Sequence, residues 1–301
     1  MLCRRSESSL VALAPAKLNL FLRVAGKRSD GFHDIETVMA TVDLYDTLIF
    51  SPSTESRIEL SVSLAGSLAA DVPQPPIPTG PENLITRAAL LLKEWANVSH
   101  GARIHLIKRI PAEAGLGGGS SDAAATLGAL NILWNIRATR QELCDLAAQL
   151  GSDIPFFAGQ APLAVCRGRG ELLEFPAVRP SLVAVLAKPA SGLSTAAVYR
   201  NCRPAAIASD LPQLMEALYT GRGDQVARYL RNDLQSPAMS LNSEVVDLSN
   251  RFASEPVWGH QLSGSGSAYF GLCATRRQAQ AVAGRLRSQG VPWVCVVQTR
   301  C

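Results

Sequence analysis

Within Ile110-Pro111-Ala112-Glu113-Ala114-Gly115-Leu116-Gly117-Gly118-Gly119-Ser120-Ser121-Asp122, four glycines fall in five residues. The stretch lies between a run that alternates like a strand and one spaced like a helix. Glycine reaches positive φ without steric cost, so successive backbone N–H groups can turn toward one concave point. Ser120 and Ser121 stand where a helix begins, and a helix N-terminus offers unpaired N–H groups with partial positive charge. The combination is an anion cradle, and phosphate is the obvious guest. A Walker A loop would need Gly-Lys-Ser/Thr, but Gly119 is followed by Ser120. A dinucleotide fingerprint counted from Gly115 and Gly117 would need a third glycine where Ser120 stands. A plain strand-to-helix turn would not call for so many glycines, each costing about 0.5–1 kcal/mol against alanine in regular structure.

Other reactive side chains are less telling alone. Lys17 begins an alternating run, where a lysine is usually solvated. Asp153 lies in Gly151-Ser152-Asp153-Ile154-Pro155-Phe156-Phe157, which reads first as an Asx-turn or helix N-cap. His33 by itself is a surface or core histidine, and Tyr199 an aromatic on the buried face of a short helix.

The elements that must position these residues follow from periodicity. Leu10 to Gly26 alternates as a strand, with Leu18, Leu20, Leu22 and Val24 on one face and Asn19, Phe21 and Arg23 on the other. Arg28-Ser29-Asp30-Gly31-Phe32-His33 is a turn. Ile35 to Val42, Thr47 to Phe50 and Ile58 to Leu64 are strands. Ala65 to Pro81 carries Pro73, Pro75, Pro76, Pro78 and Pro81, and is predicted to be an exposed loop. Asn83 to Ala96 is a helix burying Leu84, Ala88, Leu91, Leu92 and Trp95. Ile104 to Ile110 is a strand that delivers Lys108 near the glycines, and Ser121 to Trp134 is the helix they feed. Thr139-x-x-Glu142 is a capping box opening a helix to Leu150. Strands at 161–166 and 171–175 flank the turn Arg167-Gly168-Arg169-Gly170. After Pro180 a new unit begins, with strands at 182–187, 257–263, 268–273 and 293–297. Helices are expected at 195–199, 211–219, 225–230, 243–252 and, capped by Thr275, up to Arg287. Strands and helices interleaved in this way suit an α+β sandwich.

The 301 residues suffice for two cores, which is the arrangement expected here. Hydrophobic residues at 47% and charged residues at 18% are a soluble globular balance, and the net charge of +4 is too small to imply a nucleic-acid surface. Seven cysteines, scattered and never spaced C-x-x-C, support neither a zinc site nor a disulfide framework, so a reducing cytoplasm is expected. Some ten residues precede the first predicted strand without an apolar segment, which argues against a secretory signal.

Three separated stretches then coincide: Pro15-Ala16-Lys17-Leu18-Asn19-Leu20, the loop from Pro111 to Ala125, and Leu262-Ser263-Gly264-Ser265-Gly266. They resemble the three motifs of the GHMP kinases, the superfamily of galactokinase, homoserine kinase and mevalonate kinase. The stretches from Arg28 to His33 and from Gly151 to Phe156 are similar to the branch that phosphorylates a cytidine diphosphate-linked methylerythritol in the non-mevalonate route to isoprenoids. The likeness spans almost the whole chain in order.

The resemblance implies a two-domain GHMP kinase fold of the α+β class. Its N-terminal ATP-binding α/β domain, 1–179, would be related to a ribosomal protein domain, and its C-terminal domain, 180–301, would be ferredoxin-like α+β. ATP is the implied co-substrate, with Mg²⁺ bridging its phosphates and no residue assigned as a metal ligand. The loop from Pro111 to Ser121 is implied to wrap those phosphates, with Asn83 and Lys108 near the nucleotide. Asp153 is implied as base on the acceptor hydroxyl with Lys17 beside it. A lysine so placed keeps a carboxylate ionised and stabilises charge during transfer. Phe32, His33 and Tyr199 are implied around the cytosine, and Asn19 and Thr195 in holding the acceptor. Phe32 departs from the tyrosine more usual there, losing a hydroxyl but not a stacking face. Gln235 stands where glutamate is usual and reads as structural. The implied partner is a small molecule, with neither nucleic acid nor membrane.

Two other readings remain at this point. One is a GHMP kinase for homoserine or a mevalonate-type alcohol, against which Asp30-Gly31-Phe32-His33 argues. The other is a nucleotide-binding regulator without catalysis, against which the presence of both Lys17 and Asp153 argues. A nucleic-acid role lacks a basic stripe and an aromatic platform.

Overall fold

A computed structural model describes residues 2–5, 9–65, 75–204 and 208–300. Strand β1 (Leu2–Arg5) precedes the first strand expected from the sequence and pairs antiparallel with β2 (Leu10–Lys27). β2 and β3 (His33–Ser53) form one long antiparallel hairpin around Gly31, whose φ is +86°. Two strands were expected where β3 runs unbroken. Register shifts at Pro15/Lys17, Asn19/Phe21 and Val24/Gly26 let the ribbon bend without ending its ladder.

The first half continues with β4 (Ile58–Leu64), α1 (Leu84–Trp95), β5 (Gly101–Lys108), α2 (Gly118–Leu133), α3 (Arg140–Leu150), α4 (Ile154–Ala158), β6 (Leu163–Gly168) and β7 (Leu172–Glu174). Its sheet has the order β1-β2-β3-β5-β4, with β6 also pairing β3 and β7 pairing β6. The second half contains β8 (Val183–Lys188), α5 (Thr195–Asn201), α6 (Leu211–Tyr219), α7 (Gly223–Arg228), β9 (Arg231–Asn232), α8 (Gln235–Leu241), α9 (Ser243–Ala253), β10 (Gly259–Leu262), β11 (Tyr269–Cys273), α10 (Arg276–Ser288) and β12 (Trp293–Gln298). Four of its strands make an antiparallel sheet in the order β10-β11-β8-β12, the arrangement of a ferredoxin-like sandwich. β9 instead joins the first sheet, parallel to β2.

Caps set the helix ends. Thr139 and Glu142 form the expected capping box of α3, and Thr275 accepts from Gln278 N–H to open α10. Asn83 caps α1 by accepting from Ile85 N–H at 2.8 Å. The buried face of α1 is Ile85, Thr86, Ala88, Ala89 and Leu92. Trp95, expected on that face, is 46% exposed, because the last residue of the helix lies past the core it would cover.

Two cores were expected, but the buried apolar residues fall into three clusters. One lies between the first sheet and α1–α4, and another between the second sheet and its helices, joined by Leu22, Val24 and Ile35 of the first sheet. The middle cluster draws on both halves, with Leu18, Leu20, Phe21 and Val38 meeting Ala184, Leu186, Phe270 and Trp293. Leu20 and Phe21 are consecutive and both fully buried, so β2 has no solvated face, contrary to simple alternation. Of the proline-rich segment, Pro73 lies outside the described residues, while Pro75, Pro76 and Pro78 border the main cleft. Among the described residues no helix is long and apolar enough to cross a membrane.

Candidate active site

The glycine loop is held through its own backbone rather than its side chains. Glu113, Gly115 and Gly117 take positive φ of 51°, 71° and 70°. Gly115 is required twice over, because a Cβ there would also lie 2.0 Å from the Ser263 carbonyl oxygen. That oxygen belongs to the second glycine turn, which docks on the first. Ser267 N–H donates to Glu113 O at 3.2 Å, Ala268 N–H to Ala114 O at 3.1 Å and Ser263 Oγ to Gly115 O at 3.1 Å. From the other side Lys17 N–H donates to Leu116 O at 2.9 Å. The three motifs therefore meet in one backbone knot.

Helix α2 starts at Gly118, three residues before the expected Ser121, so Gly118, Gly119 and Ser120 form its first turn. The difference arises because Gly117, in the left-handed region, caps the helix without a side-chain acceptor. First-turn N–H groups stay unpaired at the wall of a cleft of 660 Å³. Pro111 to Ser120, Asn83 and Lys108 all line this cleft. Ser121 does not; it is buried on the opposite side of the helix.

Lys17 and Asp153, far apart in sequence, are brought together at the centre of the cleft. Lys17 Nζ lies 3.9 Å from Asp153 Oδ2 and also donates to Asn19 Oδ1. Asn19 is fixed in turn by donating to Thr37 Oγ1 at 2.9 Å. Burial lowers the Lys17 pKa, and the Asp153 carboxylate works against that shift. Asp153 occupies the N-cap position of α4, as its sequence context suggested, yet its side chain makes no cap hydrogen bond. Its carboxylate is left partly exposed toward Lys17.

Lys108 is spent internally. Its Nζ lies 2.5 Å from Asp46 Oδ2 and 2.6 Å from Asp122 Oδ2. Burial works against the Lys108 ammonium, but the two carboxylates outweigh it and its pKa is raised. Burial, reinforced by Asp46 and opposed by Lys108, pushes the Asp122 carboxyl up to about 8.

At the other end, His33 packs on Tyr199 with ring centroids 5.3 Å apart, and the Arg169 guanidinium lies 5.1 Å over the Phe32 ring. Asn19, Tyr199, Thr195 and Arg169 line the cleft; Phe32 and His33 do not line it, but each packs on a residue that does. Thr195 Oγ1 and Ser265 Oγ are hydrogen-bonded at 2.8 Å, which ties α5 to the second glycine turn. Burial raises the Tyr199 phenol.

Sequence reasoning missed Thr37, Asp46, Asp122, Arg169, Ser265 and Asn232. Asn232 Nδ2 donates to both Leu262 O and Gly264 O at 2.8 Å, so it holds the second glycine turn from behind. Gln235 Oε1 accepts from Leu262 N–H at 3.0 Å, a contact for which a glutamate would offer the same oxygen. Thr37, Asp46 and Asn232 carry no local pattern, whereas Asp122 and Ser265 stand within the two glycine stretches and Arg169 between Gly168 and Gly170, with no spacing that assigns them a role.

The GHMP kinases N terminal domain family matches residues 83–160, and the GHMP kinases C terminal family matches residues 214–292. The chain is 42% identical over 282 residues to a 4-diphosphocytidyl-2-C-methyl-D-erythritol kinase of Pelotomaculum thermopropionicum, covering 92% of this chain and 94% of the relative. It is 40% identical to the enzyme of that name from Bacillus cytotoxicus, over 87% and 88%. Among solved structures it matches a 4-(cytidine 5'-diphospho)-2C-methyl-D-erythritol kinase with a TM-score of 0.79 at 36% identity, covering 97% of this chain and 99% of that one. A homoserine kinase from Cytophaga hutchinsonii, at 17% identity and a TM-score of 0.73 over 100% and 98% of the two chains, shares the fold.

Proposed function

The chain belongs to the GHMP kinases, and from that footing we propose that it moves the γ-phosphate of ATP to the 2-hydroxyl of 4-diphosphocytidyl-2-C-methyl-D-erythritol. The reaction is a step of the non-mevalonate route to isoprenoids. One observation carries the reading: a single cleft holds the Lys17–Asp153 pair between a glycine cradle and Tyr199, with His33 packed on Tyr199 and Phe32 on Arg169 as an aromatic rim beyond it. The names of the relatives support the acceptor.

In this reading ATP lies along Pro111 to Ser120, its phosphates on the unpaired N–H groups of α2, with Asn83 and Lys108 at the nucleotide end. Among the described residues no group of three His, Cys, Asp or Glu could hold a metal. Mg²⁺ would arrive on the nucleotide phosphates as part of the co-substrate. Phosphoryl transfer asks the protein mostly for positioning and charge neutralisation. Asp153 takes the proton of the acceptor hydroxyl as it attacks, and Lys17 neutralises charge on the transferring group. Asn19 and Thr195 hold the acceptor chain, and the rim aromatics stack on and edge-bond the cytosine.

The same reading places an ATP-binding N-terminal domain at 1–179 and a second domain at 180–301. The change of sheet between Glu174 and Val183 supports that boundary. A cytoplasmic location belongs to it too, supported by Cys144, Cys166, Cys202, Cys273 and Cys295, which are free.

The test is Mg²⁺-dependent ADP release with the cytidyl substrate, homoserine, mevalonate and galactose in parallel. Turnover is expected on the cytidyl substrate alone, and Asp153→Asn should lower it roughly 10²–10⁴-fold. Wild-type turnover in that variant would remove Asp153 as the base. Turnover on another alcohol would keep the family and discard the acceptor.

A further inference from the structure

Beneath the first turn of α2 one ammonium serves two buried carboxylates, and the remaining donors are unequally shared. Oδ1 of Asp46 accepts the backbone N–H groups of Arg109 at 2.5 Å and Ile110 at 2.9 Å. Oδ1 of Asp122 is buried without any partner. A charged oxygen left that way is expensive, and two carboxylates on one lysine leave a net negative charge beside a loop shaped for phosphate. One proton relieves both faults, as in other sites where two carboxyl groups share a small space. The N–H donors favour the charge on Asp46 and the proton on Asp122. The upward push of burial on Asp122 agrees with that assignment.

The charges acting on Asp122 come from Lys108 on β5 and Asp46 on β3. The other elements packed on α2 bury uncharged side chains: Ile85, Thr86, Ala88, Ala89 and Leu92 of α1, Leu143, Leu146 and Ala147 of α3, and Ile154 to Ala158 of α4. Lys17 on β2 faces Asn19 and Asp153 instead.

Asp122 lines the nucleotide end of the cleft. We propose that Asp122 is a positioning residue that works in its neutral form beneath the phosphate cradle, Oδ2 accepting from Lys108, so that one ammonium balances one carboxylate there. This rests on ATP occupying the cleft. Ionisation of Asp122 would add a buried negative charge beside the phosphates, so nucleotide affinity falls as pH rises through that ionisation. An asparagine would keep the acceptor for Lys108, and it cannot ionise.

The experiment is calorimetric ATP binding to the full-length protein between about pH 7 and pH 9.5, alongside infrared spectra without nucleotide. Wild-type Kd is expected to rise about 10-fold over that range, the factor that a one-unit difference in pKa between free and bound protein would give. Asp122→Asn should bind as tightly as wild type at the low end and lack the part of this rise that Asp122 contributes. Lys17 is present in both proteins, so its titration appears in both profiles. Wild type should show a protonated-carboxyl band at neutral pH that Asp122→Asn lacks. Parallel pH profiles in the two proteins, or no such band in wild type, would overturn the inference. A wild-type protein with the band that binds no ATP would overturn the reading of the cleft, and the effect on nucleotide affinity with it, while upholding the proton.

Discussion

Lys17 illustrates how little a residue type says before its surroundings are known. In sequence it looks like a solvated lysine at the start of a strand, yet it is 3% exposed and wedged between Asn19, Asp153 and the backbone of the glycine loop. Its pKa is lowered because burial penalises the ammonium more than Asp153 supports it. Transfer needs the charged form, so turnover is expected to fall on the alkaline side, beginning below the ordinary lysine value of about 10.4. The pH profile of kcat at saturating substrate checks this. Lys17→Arg, always charged, should lose that alkaline limb; a limb unchanged in the arginine variant would assign it to another group.

The second glycine turn is the element on which the site depends. Gly264 approaches so closely that a Cβ there would lie 3.0 Å from Lys17 Nζ and 3.2 Å from Asn19 Oδ1. The turn is fixed from behind by Asn232 and Gln235, and Asn232 itself is anchored where β9 runs parallel to β2. Loss of the Asn232 amide would leave two carbonyls without their donor, costing about 1–3 kcal/mol. Asn232→Ala is therefore expected to lower kcat at least tenfold by loosening Lys17 and Asn19, with KM for ATP changed much less. Asn232→Asp should not rescue it, since a carboxylate cannot donate to either carbonyl. Steady-state kinetics separate these outcomes, and rescue by aspartate would refute the positioning role.

The two halves are joined by more than a linker. The middle apolar cluster takes residues from both sheets, β9 crosses to the first sheet, and Thr299 bridges to Val42. Gln261 Nε2 also donates to Asn19 O at 2.8 Å and Leu20 O at 3.2 Å across the same contact. Neither half can unfold without exposing the shared cluster, so calorimetric unfolding should show one transition. Two well-separated transitions would mean that the shared cluster does not couple the halves.

Sequence alone carried the glycine cradle, the capping boxes, the succession of strands and helices and the family resemblance, because each is written in local spacing. It also carried Lys17, Asp153, His33 and Tyr199, but only through that resemblance; by periodicity they were unremarkable. The early start of α2 escaped it because glycines are poor helix formers, and only the left-handed cap at Gly117 turns them into a first turn. The unbroken β3, the doubly buried β2 and the strand β9 were set by packing between sheets, which no alternation within one strand encodes. Asp46 and Asn232, and the roles of Asp122 and Ser265 within the glycine stretches, became visible only in three dimensions. Their roles come from partners between 14 and 70 residues away. A hydrogen bond or a shared proton depends on which groups the fold places within reach, not on their order along the chain.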